Sequence, residues 1–413
     1  MENRMSKKQL LIFCSFVIIT FSNAKFFINR ELDDPVAYLG YLLLLCGIIT
    51  SYLKLPNAYK IGININLAIT FPFFSIGILL QPMGLSLKIR LLLTMLIIAL
   101  SALASDGLMQ SFEDMRIGAY GLLTGEMLVL LLSLFTKTRV FSNVDEPMGL
   151  LALGFDAGMS HKNYFAMILM ASFSVVYMYR KYAQKKLVDL IVLFMEGFLL
   201  FLSHARAVWL LTIMFLLIMF MDKIKVNIKL NKLLMLIGFS VFFVATIVAV
   251  LWIYQNVLKR SGTYVSRISG FTSYWFMYCE NDTFHRIFGN AATFFGTDNY
   301  SDNFRKLMNY DGAVDMAILN ILIKNGLIGL VGYFFVFGRI IKQAIQTNSR
   351  NLRVCSFAIV LPMIVSMFSE NCVSTISLSY APFCYTVLAS LYWQMNFKVD
   401  DVIVCNDKLW RSI

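Results

Sequence analysis

Runs of roughly 17–22 apolar residues recur along this chain, close to the length that carries a helix across a bilayer. Only helices and closed barrels satisfy their own backbone in hydrocarbon, so this one feature removes most folds. The rest of the composition agrees. Of 413 residues, 59% are hydrophobic and 15% charged, against about 45–50% and about 25% in an average soluble domain. Mean hydropathy is +0.70. The chain reads as an all-α polytopic membrane protein, a single integral domain over 1–413. Its net charge of +12 needs no nucleic acid, because Lys and Arg gather in the cytoplasmic loops of such proteins.

Twelve transmembrane helices are predicted, over 9–24, 36–53, 61–80, 89–105, 117–135, 163–179, 187–203, 206–221, 233–254, 317–338, 354–369 and 375–393. The first resembles a signal peptide, with Arg4, Lys7 and Lys8 before it and Ser22 and Ala24 after it. An uncleaved helix is favoured, since many later segments need a first span. Three basic clusters fix the orientation: Arg180, Lys181, Lys185 and Lys186; Lys223, Lys225, Lys229 and Lys232; Arg339, Lys342, Arg350 and Arg353. Each lies two helices from the next, so all share one side. Taking that side as the cytoplasm puts both termini there.

About sixty residues, 255–313, then form one extracytoplasmic loop between the ninth and tenth helices. It holds thirteen aromatic residues. Disordered segments are poor in aromatics, so a folded cap is expected. Seven cysteines show no metal-ligand spacing. Cys14, Cys46, Cys355 and Cys384 fall in apolar segments and suit core packing. Cys279 and Cys372 both fall outside, where the topology permits a disulfide between them.

The charged residues at the outer face carry the chemistry. In "LLFLSHARAVWLLTIMF" (199–215) two apolar runs meet at Ser203, His204, Ala205 and Arg206. An arginine there either snorkels to headgroups or grips an anion with its two-pronged guanidinium. His161, Lys162 and Asn163 open the sixth helix on the same side, and Arg267 and Arg286 can add charge from the cap. Cations converging on one face suit a polyanion such as a diphosphate; the plainer reading is a rim touching anionic lipid. Glu126 and Glu196 lie inside apolar segments and each needs a partner or a wet cavity; Glu196 stands two turns below His204, where it can anchor the cations. Asp315 enters the tenth helix, as a cap or as a general base. No P-loop, dinucleotide fingerprint or zinc motif is present.

The order of short motifs resembles the O-antigen polymerase and O-antigen ligase superfamily, best over about 150–345. The segments are "SHKNYFAMIL", "LSHARAVWL", "SRISGFTSYW", "RIFGNAATFFG" and "DMAILNILIKNGLIGL". The resemblance implies a polymerase of O-antigen, capsule or exopolysaccharide repeat units in the bacterial cytoplasmic membrane. Its donor would be a glycan on undecaprenyl diphosphate, with no metal and no cofactor. A chain-length regulator and a flippase are the implied partners. Arg206 and Arg267 match the family's phosphate-binding arginines, and Asp315 stands where many members have histidine, eleven residues before Gly326. Asp315 is thus the expected base, with His285 or His204 as substitutes. Lys162, Asn163, His204, His285, Arg286 and Trp275 are the expected substrate-binding set. The rival readings are a ligase that moves finished glycan to another acceptor and, from a different class, a flippase for lipid-linked sugars.

Overall fold

The computed structural model describes residues 5–148, 151–221, 262–290 and 316–396, with backbone alone at 143–148, 151–153 and 262–269. The chain is mostly helical. In order it forms α1 (Lys7–Phe21), α2 (Lys25–Ile28), α3 (Asp33–Leu53), α4 (Asn57–Leu80), α5 (Leu85–Leu103) and α6 (Phe112–Phe135). A hairpin follows, β1 (Phe141–Met148) and β2 (Leu151–Phe155), then α7 (Lys162–Tyr182), α8 (Leu187–Leu202) and α9 (Arg206–Met221). The later elements are α10 (Gly262–Glu280), α11 (Thr283–Phe288), α12 (Ala317–Gln346), α13 (Arg350–Ser366) and α14 (Tyr380–Asn396). Helices stand where eleven of the twelve were predicted; the ninth, 233–254, lies outside the described residues. By length and composition α3, α4, α5, α6 and α12 can each cross a membrane, and α9 is a shorter apolar helix.

Exposure explains the apolar excess. On α8 the exposed residues are Leu187, Val188, Ile191, Phe194, Phe198 and Phe201, an apolar stripe at helical spacing. Such a stripe faces lipid rather than water. The core belongs to α1, α7 and α14. Every residue of α14 from Tyr380 to Leu391 is buried. α1 lies against α3 and α6, and small residues let the backbones approach. A methyl group at Gly121 or Gly125 of α6 would come within 2.8 Å of the Phe13 or Val17 carbonyl. Cys355 and Cys384 join this core. Cys46, expected there, faces outward, and Cys279 and Cys372 are separate thiols rather than a disulfide.

Ion pairs tie helix ends together in two groups, as alternating antiparallel helices require. At one end Arg116 of α6 binds Asp189 of α8 at 2.7 Å, and Lys8, in the first turn of α1, binds Asp114 at 3.1 Å. Arg339 of α12 reaches Asp106, after α5, at 2.9 Å, and the Tyr59 hydroxyl donates to the same carboxylate oxygen at 2.6 Å. At the other end Arg90 pairs with Asp34 at 2.8 Å and Lys25 with Asp156 at 2.7 Å.

Two features depart from the all-helical reading. The β1–β2 hairpin is antiparallel, with Phe141 opposite Phe155 and Ser142 opposite Gly154. Lys25 locks its base, since Asp156 is fully buried and also accepts the Gly158 amide at 2.8 Å. The second departure is inside α12, which is interrupted at Gly326 (φ 68°, ψ −170°). That left-handed backbone suits glycine. The turn Phe288-Gly289-Asn290, after α11, fills the break. Asn290 N–H donates to Ile323 O at 2.5 Å, and the Gln81 carboxamide donates to Phe288 O at 3.1 Å and Lys324 O at 3.3 Å. A methyl group at Gly326 would lie 2.2 Å from the Ile287 carbonyl.

Gly326→Ala should therefore lower the midpoint of thermal unfolding in detergent, the strained φ alone costing about 1–3 kcal/mol. Gly197→Ala on α8, where a methyl group meets nothing within 4 Å, should leave that midpoint unchanged or raise it, the added helix preference being worth up to about 1 kcal/mol. Equal midpoints for the two variants would mean that the turn after α11 does not hold the break.

Candidate functional site

The turn between α8 and α9 is three residues long and each is held. Ser203 Oγ donates to Leu200 O at 2.6 Å and accepts the Ala205 amide at 3.3 Å. His204 adopts the left-handed region, φ 54°. Trp209, one turn into α9, donates its indole N–H to Leu200 O at 2.7 Å and stacks on Phe201 with centroids 5.6 Å apart. These clamps make Arg206 the first residue of α9.

α7 opens in the same way. His161 is its N-cap, and Nδ1 accepts the Asn163 amide at 3.1 Å. Lys162 is the first helical residue, and neither α7 nor α9 has an acid in its first turn. A helix N-terminus carries about half a positive charge and favours acids. Two cations therefore stand where helix stability alone would place carboxylates.

The β-hairpin joins the two starts. A methyl group at Gly154 would lie 2.8 Å from Lys162 Cδ and 2.8 Å from Ser203 O. The stem of Lys162 thus crosses β2 beside the α8–α9 turn. His204 senses the result: burial first, then the charges of Lys162 and Arg206, hold its imidazole below the ordinary histidine range. Its Nε2 is buried without a hydrogen-bond partner. Lys162 and Arg206 are the two cations of one cluster with His204 between them, and among the described residues no carboxylate pairs with Arg206.

Asn163 turns the other way. It is 6% exposed, and its Nδ2 donates to Glu370 Oε1 at 2.8 Å. Glu370 lies in the loop between α13 and α14. The apolar runs predict helices over 354–369 and 375–393, with Glu370 in the short gap. In the structure α13 ends at Ser366 and α14 begins at Tyr380, which leaves a thirteen-residue loop. Two backbone bonds seat it on the start of α12: Ala317 N–H to Glu370 O at 3.3 Å and Ile318 N–H to Met367 O at 3.1 Å. The only signal for Glu370 in the sequence was an acid directly after an apolar run.

The cap residues behave differently. His285 pairs with its own N-cap, Asp282, at 2.8 Å. Arg286 donates to the Asn281 carbonyl at 2.8 Å and to the Cys279 carbonyl. Both tie α11 back to the end of α10 rather than joining the cluster. Trp275 is half exposed and stacks on Phe271. Arg267 lies on α10, which packs against α12 and β1, but its side chain is outside the described residues. Asp315 is outside them altogether. Glu196 does not anchor the cations. It is fully buried, and its charged neighbour is Glu126 of α6. No protein-family model and no curated protein matches this chain.

The His204 surroundings set a pH dependence. With the folded pKa below the unfolded value of 6.5, the unfolded chain binds the proton first as pH falls. Stability must then drop as pH goes from 6.5 toward the lower folded pKa. His204→Asn keeps a residue tolerant of left-handed backbone and removes the titration. Thermal unfolding between pH 7 and pH 5 should show a shallower acid decline in the variant; parallel curves would contradict the arrangement.

Proposed function

We propose that this chain is a glycan polymerase that joins lipid-diphosphate-linked repeat units at the outer face of the cytoplasmic membrane. The observation that carries the reading is the convergence of Lys162, His204 and Arg206, with no described carboxylate paired to the arginine. A donor such as a glycan on undecaprenyl diphosphate fits this charge. In this reading there are twelve spans, and 255–313 caps the outer face. The clusters at Arg180–Lys186 and Arg339–Arg353 lie at the opposite, cytoplasmic end together with both termini, as the positive-inside rule asks.

The reaction follows from the charges. An acceptor hydroxyl attacks the anomeric carbon and the bond to the diphosphate oxygen breaks. The departing diphosphate gains negative charge. Fixed cations aimed at that oxygen stabilise charge where it develops and need no reorganisation during the step. Arg206 suits the task because a guanidinium binds two oxygens at once. Arg267 is the second arginine of this reading.

Arg206→Ala should lower polymer formation by about 10²–10³-fold, the usual cost of one such donor, while the protein still inserts. Arg206→Lys should recover only part of it. The assay is purified protein with a lipid-diphosphate-linked repeat unit and no added metal, read as a product ladder on a gel. A single transfer to another carrier would instead indicate the ligase reading, and wild-type chain lengths from the alanine variant would remove the proposal.

The facing pair Glu126 and Glu196 favours a second reading, a proton- or cation-coupled flippase for lipid-linked sugars. Intramembrane acids commonly mark such pathways. Under that reading Glu126→Gln with Glu196→Gln abolishes movement of labelled lipid-linked glycan across vesicles. Under the polymerase reading the same variant still yields a ladder.

A further inference from the structure

Lys162 and Asn163 are neighbours in sequence, yet they serve opposite chemistry. Lys162 crosses Gly154 toward the α8–α9 turn, while Asn163 holds a carboxylate. We infer that Glu370 is the proton acceptor for the attacking sugar hydroxyl, an inference that rests on the glycosyl-transfer reading above.

Three placements carry it. First, Glu370 is at the right end of the bundle. Glu370 is bound by Asn163, whose neighbour Lys162 lies beside the α8–α9 turn, so the loop after α13 sits at the end where α9 begins with Arg206. Second, the carboxylate is held. Glu370 is 4% exposed, its Oε1 accepts from Asn163 at 2.8 Å, and its carbonyl accepts the first amide of α12. Third, a buried polar acceptor lies one turn along α12 from the amide that Glu370 receives. Asn320 follows Ala317 by three residues, on the same face of α12. It is 2% exposed and its Oδ1 has no hydrogen-bond partner. An orphaned acceptor of this kind is costly, and a sugar hydroxyl supplies the missing donor.

The step balances. The acceptor O–H gives its proton to a Glu370 carboxylate oxygen, and the freed oxygen pair forms the bond to the anomeric carbon. The bond from that carbon to the diphosphate breaks, and its electron pair leaves on the diphosphate oxygen toward Arg206 and Lys162. The proton then passes from Glu370 to water. Asn163 separates the acid from the cations; a direct Glu370–Arg206 pair would neutralise both tools.

The test uses the full chain in detergent with a polyprenyl-diphosphate-linked oligosaccharide as both donor and acceptor. Glu370→Gln should lower the transfer rate by about 10²–10⁴-fold, the range for loss of a general base. Binding of the labelled donor should stay near the wild-type level. Added formate should restore part of the rate to Glu370→Ala, which a purely structural carboxylate would not allow. Should the glutamine variant fail to insert, Glu370→Asp carries the test, and the acid limb of its pH–rate profile should shift. A Glu370→Gln variant with an unchanged rate and acid limb overturns this inference alone. A wild-type protein that forms no transfer product overturns the glycosyl-transfer reading, and this inference with it.

Discussion

Backbone groups inside hydrocarbon must find partners within the protein, and the break in α12 is where this requirement bears hardest. Each unsatisfied amide or carbonyl there costs several kcal/mol. The interruption at Gly326 frees carbonyls that a continuous helix would have used. Ile323 O is met by the Asn290 amide and Lys324 O by the Gln81 carboxamide. Asn325 in turn donates to Phe74 O at 2.9 Å. The partners come from the turn after α11 and from Gln81 and Phe74 beside and within α4, so the break, α4 and that turn are a single unit. Gly77, Gly289 and Gly326 sit at this crossing, where a methyl group on any of them would meet backbone at 1.9–2.3 Å. Broken helices in membrane proteins often border binding sites for the same reason: irregular backbone survives only where protein or a cavity receives it. Here the break separates the short N-terminal start of α12, which carries Asn320, from its longer C-terminal part.

How much of this was legible in the sequence divides along physical lines. Apolar run length reports lipid burial directly, and α3 to α6, α8 and α9 stand close to their expected bounds. Even α4, with Asn64, Asn66 and Pro72, is one continuous helix. The β1–β2 hairpin was not legible, because its segment is too short and mixed to show a period of two. α13 ends three residues before its predicted bound because "VLPMIVSMFSE" stays largely apolar through Phe368, which masks the loop carrying Glu370. The motif "IFGN" and the motif "KNGLIG" were each visible, but their meeting at the helix break is a tertiary fact. Cations were legible as outliers in apolar surroundings. Which of them share a site was not: Arg286 and His285 look equivalent to Lys162 in a sequence, yet the structure spends them on local turns.

Electrostatic frustration marks the site. Helices α3 and α6 follow the rule that helix starts take acids, while α1 and α13 open on Lys7 and Arg350 with no acid in the first turn. Glu113 and Asp114 sit in the first turn of α6, Asp33 and Asp34 in that of α3, and Arg116 meets Asp189. Helices α7 and α9 break this rule together, at one end, with Lys162 and Arg206 in first positions that favour acids. Natural sequences tend to violate local preference where function requires it. A bound anion would remove the conflict at both helices at once, since it would meet two N-terminal dipoles and two side-chain cations.

The choice of α7 as the carrier of these groups follows from packing. From Phe165 to Met170 every residue of α7 is buried, and contacts run to α6, α8, α9, α13 and α14. A helix enclosed on so many sides has little freedom to translate or tilt. Its first two residues therefore keep a fixed spacing, with Lys162 turned toward the α8–α9 turn and Asn163 toward Glu370. Catalytic geometry tolerates errors of only about 0.5 Å, and sites on rigid elements meet that tolerance better than sites on loops. The flexible Lys162 side chain is itself laid across Gly154, where any side chain on β2 would displace it. Burial at the centre of the bundle thus becomes precision at its surface, and the two opposed chemistries of neighbouring residues are kept apart by the helix that bears them both.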